Sequence, residues 1–210
     1  MTPSVVLVAD DHPIFREALK IAVMRAVPGA VLLEAGQLGE AADAARHAVR
    51  LDLILLDLRM PGAEGFSGVA LLHAERPETP ILVISSADQA DAAARARAYG
   101  AVGFVSKTAD LGSIENAIRR ALSGESADVD AERDPAVAEM AQRIARLTPA
   151  ELRVLFGVLA GRLNKQIAFD LGISEATVKG HMTLIMRKMN VQNRTQAVLA
   201  ARALDIALVD

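Results

Sequence analysis

Five residues of this chain are placed to share one piece of chemistry. Asp10 and Asp11 end the apolar run SVVLVADD, and Asp57 ends DLILLD. Ser85 ends the run PILVIS, and Lys107 ends AVGFVSK. Each closes a short segment rich in Val, Ile and Leu, the composition of a buried strand. A carboxylate in such a place is costly unless paired, and three together repel one another unless a cation is present. An all-oxygen set suits Mg²⁺, which takes a few carboxylates, waters and phosphate oxygens. The lysine supplies the opposite charge that a phosphoryl group requires. Taken singly, each residue has a plainer reading. Asp57 opens the turn before Pro61-Gly62, Asp10-Asp11 cap a helix, Ser85 turns the chain and Lys107 is a solvated cation.

Whether the five meet depends on the elements that carry them. Strand-like stretches at 4–11, 31–36, 52–58, 80–86 and 101–107 alternate with helical ones. The first of these helices shows Ile14, Ala18, Leu19, Ala22 and Val23 at helical spacing and stops at Pro28-Gly29. Others follow at 38–49, 65–77, 90–100 and 110–124, halted by Pro77, Gly100 and Gly124. Near-continuous apolar strands joined by helices predict an α/β fold, a doubly wound five-stranded parallel sheet covered on both faces. In such sheets chemistry gathers at the carboxyl ends of the strands, near the switch in strand order. If the first and third strands are neighbours, all five residues lie on one edge.

Charge divides the 210 residues further. The chain carries −3 overall: −3 over 1–124, −3 over 125–146 and +3 over 147–210. An acidic front and a basic back predict two modules with different partners, the basic one facing nucleic acid. There is no cysteine, which excludes disulfides and thiolate chemistry. No apolar run reaches the roughly 20 residues of a membrane span, so a cytoplasmic protein without a membrane partner is expected. Residues 125–137 are acidic and poor in apolar side chains, as in an exposed linker, and 136–147 predict a linker helix.

Residues 4–124 resemble the receiver domain of two-component response regulators, a flavodoxin-like fold. The resemblance is carried by ADDHP, by Asp57 with LRMPG and AEG, by Ser85 and by Lys107 after GFVS. It implies that Asp57 is the phosphoacceptor, charged by a sensor histidine kinase. It implies Mg²⁺ held by Asp10, Asp11, Asp57 and the backbone carbonyl of Arg59. Lys107 would then pair with the phosphoryl oxygens, Ser85 would hydrogen-bond one of them, and Phe104 would be the aromatic switch.

The last segment shows no strand pattern. Thr148, Pro149 and Glu151 form a helix start, with cap, Pro at the first position and Glu at the third. NKQIAFDLGIS gives a short helix stopped at Gly172, and Ser174 caps a basic helix, the pattern of a helix-turn-helix. From LTPAE through GRLNKQIA, LGISEATVKGH and NRTQAV it resembles the LuxR-type DNA-binding domain of the NarL/FixJ class. The resemblance makes 174–189 the recognition helix in the major groove of double-stranded DNA. Lys165, Thr177, Lys179, Thr183, Arg187, Lys188 and Arg194 become its candidate contacts, with the final helix joining two copies.

The expected organisation is a receiver at 1–124, a linker with a helix at 125–146 and an all-α DNA-binding domain at 147–210. The expected function is a transcription regulator rather than an enzyme, phosphorylated at Asp57 and forming a homodimer in that state. The acidic front is also expected to cover the basic helix at rest. Two rival functions are a phosphate-independent DNA-binding protein whose first module only dimerises, and a metal-dependent phosphohydrolase, against which the helix-turn-helix and the absence of further acid/base residues argue.

Overall fold

The structure, a computed structural model, describes residues 2–86, 89–125, 135–204 and 206–207. The strands are β1 (Val5–Ala9), β2 (Val31–Ala35), β3 (Leu53–Leu56), the two-residue β4 (Glu64–Gly65), β5 (Ile81–Ser85) and β6 (Ala101–Ser106). Five of them form a sheet in the order β2-β1-β3-β5-β6, with every pairing parallel. The crossovers carry α1 (Pro13–Ala26), α2 (Leu38–His47), α3 (Ser67–Glu75) and α4 (Gln89–Ala98), and α5 (Leu111–Ser123) follows β6.

Strand side chains alternate between faces, and the two cores follow that alternation. Val6, Val8, Leu53 and Leu55 meet Leu19 and Val23 of α1 and Ile114 and Ile118 of α5. Leu7, Ile54, Leu56 and Val83 face Leu38 of α2 and Val69 and Leu72 of α3. The inner strands β1, β3 and β5 are buried on both sides, which is why they read as continuous apolar runs. The register pairs Ala9 with Leu56 across β1 and β3. Asp10 and Asp57, each the next residue along, therefore leave the sheet side by side at its order switch.

The C-terminal part is helical: α6 (Pro135–Ala145), α7 (Pro149–Leu159), α8 (Asn164–Leu171), α9 (Glu175–Met189) and α10 (Arg194–Arg202). The capping box at the start of α7 is complete, since Glu151 N–H donates to Thr148 Oγ1 (3.3 Å) and Thr148 N–H to Glu151 Oε2 (2.7 Å). Gly172 ends α8 in the left-handed region (φ 64°), and Ser174 caps α9 by accepting from Thr177 N–H at 3.1 Å. A Cβ on Gly157 of α7 would stand 2.8 Å from Ile167 of α8, so glycine lets these two helices pack closely. No described helix is long and apolar enough to cross a membrane.

Two expectations change here. The helix expected to act as a linker, α6, buries Ala141 and Ile144 and packs against α3, α4 and α9. Its apolar stripe thus belongs to the core; most of the acidic linker, 126–134, lies outside the described residues. The basic helix α9 is also not covered by the acidic front. Its outward residues Thr177, Lys179, Gly180, Thr183 and Arg187 are exposed. The two parts meet instead through α3 with α6 and α7, and through α4 with α6. Glu75 of α3 is shared there between Arg46 of α2 (3.1 Å) and Arg153 of α7. A short tail strand, β7 (Ile206–Ala207), pairs antiparallel with β4.

Candidate functional site

The sheet delivers the acidic residues to one edge. Asp57 N–H donates to Ala9 O (2.9 Å) and Asp10 N–H to Ala35 O (3.1 Å), so both backbones continue the ladder before the chain turns away. Asp10 and Asp57 are buried and Asp11 is half-buried. Ligand atoms of Asp10, Asp11, His12 and Asp57 lie within 4.8 Å of one another. Asp57 Oδ1 accepts from Arg59 N–H at 3.2 Å, so the turn-forming role read from sequence is also fulfilled. Asp10 Oδ1 accepts from His12 N–H at 2.8 Å, tying the first carboxylate to the start of α1.

Lys107 closes the group. Its Nζ stands 2.7 Å from both Asp10 Oδ2 and Asp57 Oδ2, and 4.8 Å from the centre of the Phe15 ring. Its own N–H donates to Ser85 O at 3.0 Å, which anchors the end of β6 to the end of β5. Burial works against the ammonium. The hydrogen bonds to Asp10 and Asp57 outweigh it, so the Lys107 pKa lies above its ordinary value. Ser85 is fully buried, and Phe104 is half-buried against the core.

The residues fit a hard divalent cation. All the carboxylate donors are oxygen, and one ammonium faces three carboxylates. The buried atoms Asp10 Oδ2 and Asp11 Oδ1 face the Lys107 ammonium at 2.7 Å and His12 Nδ1 at 2.6 Å. Three carboxylates whose ligand atoms cluster this closely, with one ammonium among them, are what a Mg²⁺ ion would take. A cleft of 580 Å³ opens over Asp57 and Lys107, walled by His12, Ile14, Phe15 and Arg59.

Two residues of this edge escaped the sequence reading. His12 Nδ1 lies 2.6 Å from Asp11 Oδ1, and Arg16 donates from Nη1 to Asp10 O (2.6 Å) while its Nε meets Glu34 Oε2 (3.2 Å). Their signal was positional. Arg16 follows His12 by four residues, one helical turn, and so returns to the same edge.

In the helical part, α9 buries Val178, Met182, Ile185 and Met189 and presents Lys179, Gly180, Thr183 and Arg187 outward. Lys165 of α8 is exposed as well. Thr183 Oγ1 donates back to Lys179 O at 3.1 Å. Two of the candidate contacts are engaged inside the domain. Lys188 Nζ stands 2.7 Å from the buried Glu151 Oε2, where it and Thr148 N–H hold the carboxyl below its ordinary pKa against the effect of burial. Arg194 donates to Asn164 Oδ1 (2.8 Å) and Arg162 O (2.6 Å), fastening α10 to the start of α8.

Comparisons with known proteins agree with this architecture. Residues 6–119 match the family model described as the response regulator receiver domain, and residues 145–201 the LuxR family of bacterial regulatory proteins. The glycerol metabolism activator of Pseudomonas putida is 36% identical over 211 residues, covering 95% of this chain and 96% of that protein. The nitrate/nitrite response regulator NarP of Escherichia coli K12 is 33% identical, with 94% of each chain covered. A LuxR-family two-component response regulator from Aurantimonas superposes with a TM-score of 0.55 at 28% identity, over 66% of this chain and 94% of that one.

Proposed function

The chain belongs to the two-component response regulators with a LuxR-type DNA-binding domain, a phosphorylation-regulated class of transcription regulators, and from that premise we propose the roles of its residues. Asp57 is the phosphoacceptor. One of its carboxylate oxygens attacks the phosphorus of a phosphohistidine on a sensor kinase in line, the P–N bond breaks, and an acyl phosphate remains on Asp57. The observation that carries this reading is the contact of Asp57 Oδ2 with Lys107 Nζ at 2.7 Å beneath an open cleft. Asp57 is buried enough to be held in one place, yet a donor can approach it. Lys107 shields the charge that accumulates on the phosphoryl oxygens.

Asp10, Asp11 and Asp57, with the carbonyl of Arg59, would hold Mg²⁺, which when bound neutralises the carboxylates and the phosphoryl oxygens. Arg16 and His12 position the first two acids. A phosphoryl group adds about 1.5 to 2 negative charges at neutral pH. Ser85 receives one of its oxygens, and Phe104 repacks in the space that this movement opens.

At the other end α9 enters the major groove. Lys165, Thr177, Lys179, Thr183 and Arg187 face DNA, the cations chiefly its phosphates. Lys188 and Arg194 hold the domain that presents them, through the bonds to Glu151 and Asn164. Gly180 lends no side chain to the groove. The phosphorylated protein is a cytoplasmic homodimer acting at promoters.

The test is incubation with acetyl phosphate and Mg²⁺ followed by intact-mass measurement. A gain of one phosphoryl group that Asp57→Ala and chelation each abolish is expected. A gain that survives Asp57→Ala overturns the assignment.

A further inference from the structure

The sheet ends at β6, and a groove of 630 Å³ opens along that edge between α4 and α5. It shares no lining residue with the cleft over Asp57. Residues 102–106 of β6 line it, and an edge strand leaves one row of its N–H and C=O groups without a neighbouring strand. From α4 come Ala93 and, one helical turn later, Arg97. Leu82, Val102, Val105, Ala117 and Ala121 make much of the lining apolar.

Most polar side chains of this lining are already engaged. Ser106 Oγ meets Thr108 Oγ1 at 2.8 Å, and Ser113 Oγ donates to Asp110 Oδ2 at 2.6 Å. Asn116 Oδ1 accepts from Arg119 Nη1 at 2.9 Å, and Arg120 Nε stands 3.7 Å from Glu125 Oε2. Arg97 differs. Its Nε and Nη1 are buried and have no hydrogen-bond partner among the described residues. Arg95, two residues earlier, has its guanidinium 5.0 Å over the Phe66 ring. A guanidinium withdrawn from water without a counter-charge is costly, so Arg97 is primed to take an anion.

We propose that this groove binds a small monocarboxylate with an apolar body, its head on Arg97 and its body against the apolar lining. Three features select that class. A guanidinium presents a planar fork of N–H donors that the two oxygens of one carboxylate fill together. The charge to be matched is single. Arg120, the other cation of the groove, already has Glu125, so a phosphate dianion would bring a second charge that nothing there neutralises. The apolar lining favours a hydrocarbon body behind the head, and the volume lies within the range of small-molecule sites. The site does not depend on Asp57 being the phosphoacceptor.

The test is a titration of the full-length, ¹⁵N-labelled chain followed by amide chemical shifts. The probes are octanoate and 3-phenylpropionate, each with its alcohol and its phosphate monoester as controls, and acetate as a head without a body. The tighter of the two carboxylates should saturate, with shifts at residues 93–97, 102–106 and 113–121. Its alcohol, its monoester and acetate should all bind more weakly. Arg97→Gln should weaken the carboxylate roughly 10- to 100-fold, as for loss of a hydrogen bond to a charged group, and leave the alcohol unchanged. Ala117→Leu fills the groove from α5 and should weaken carboxylate and alcohol alike. The proposal is overturned if neither carboxylate shifts these residues, if either variant binds the carboxylate as tightly as wild type, or if the monoester binds more tightly. It is overturned as well if the same residues shift with protein concentration alone, which would make a second copy of the chain the occupant.

Discussion

Replacing Lys107 by Met removes the ammonium that stands 2.7 Å from both Asp10 and Asp57 while keeping most of the aliphatic stem. The magnitude follows from burial. The Lys107 side chain is 14% exposed, and its partners are 0% and 2% exposed. Removing one partner of a buried pair costs about 3–5 kcal/mol, because the opposite charge is left uncompensated. The remaining exposure of Lys107 places the loss at the lower end, about 3 kcal/mol. Urea denaturation in EDTA measures it. The pH dependence has a definite sign. The Lys107 pKa is raised in the folded state, so its contribution is fully present below its ordinary value of 10.5 and fades only as pH rises beyond it. The deficit should therefore be constant from pH 7 to 9, on the order of the neutral value. Mg²⁺ should recover part of it, since a ligand at 100 times its Kd stabilises by about 2.7 kcal/mol. Adding Asp57→Asn to Lys107→Met should also recover part, because one repelling charge is gone. A Lys107→Met protein within about 0.5 kcal/mol of wild type, the range of an ordinary surface change, would refute a buried charge pair here. So would a second substitution that adds its own full penalty.

Three other predictions concern the helical domain. Gly180→Ala on α9 meets nothing within 4 Å, so it should stabilise by about 0.5–1 kcal/mol through helix propensity, whereas Gly157→Ala on α7 meets Ile167 at 2.8 Å and should destabilise by about 1–3 kcal/mol; chemical denaturation of both variants checks the opposite signs. Glu151 has a lowered folded pKa, so its stabilisation is present above its ordinary 4.5 and lost as pH falls below it. Glu151→Gln should be less stable than wild type at pH 7, and its stability should fall less steeply between about pH 5 and 3. Lys179→Ala should weaken binding to all DNA sequences alike and flatten the slope of log affinity against log salt by about 0.9, as read from a salt titration.

The acidic edge was legible because local rules and global fold agree there. Each of the five residues follows an apolar strand, strand order places β1 beside β3, and Asp10 and Asp57 then meet by register. The helix-turn-helix was legible for a similar reason, since Thr148 with Glu151, Gly172 and Ser174 are local signals that need no distant partner. What the sequence concealed depends on distant pairing. Lys188 and Arg194 read as outward cations, yet Glu151 and Asn164, 37 and 30 residues away, hold them inside the domain. Helical phase cannot report such a partner. The apolar stripe of α6 gave no hint that α3 and α4 would receive it. The pairing of β4 with β7 involves two residues on each side, too few to show any alternation. Opposite net charges suggested that the receiver covers α9, but net charge sets an average attraction and not a docking face. The observed contact is decided by Glu75 with Arg46 and Arg153, and by Tyr99 with Leu204.

The central claim is that a phosphoryl group on Asp57 raises the affinity of α9 for its DNA. The direct measurement is an equilibrium binding curve for a selected promoter duplex, recorded at one fixed salt concentration for wild type and Asp57→Ala. Each is measured before and after treatment with acetyl phosphate and Mg²⁺. Tightening is expected in the wild type alone, lost when Mg²⁺ is chelated during treatment. Equal tightening in both proteins, or a wild type that carries the phosphoryl group and binds no more tightly, would contradict it.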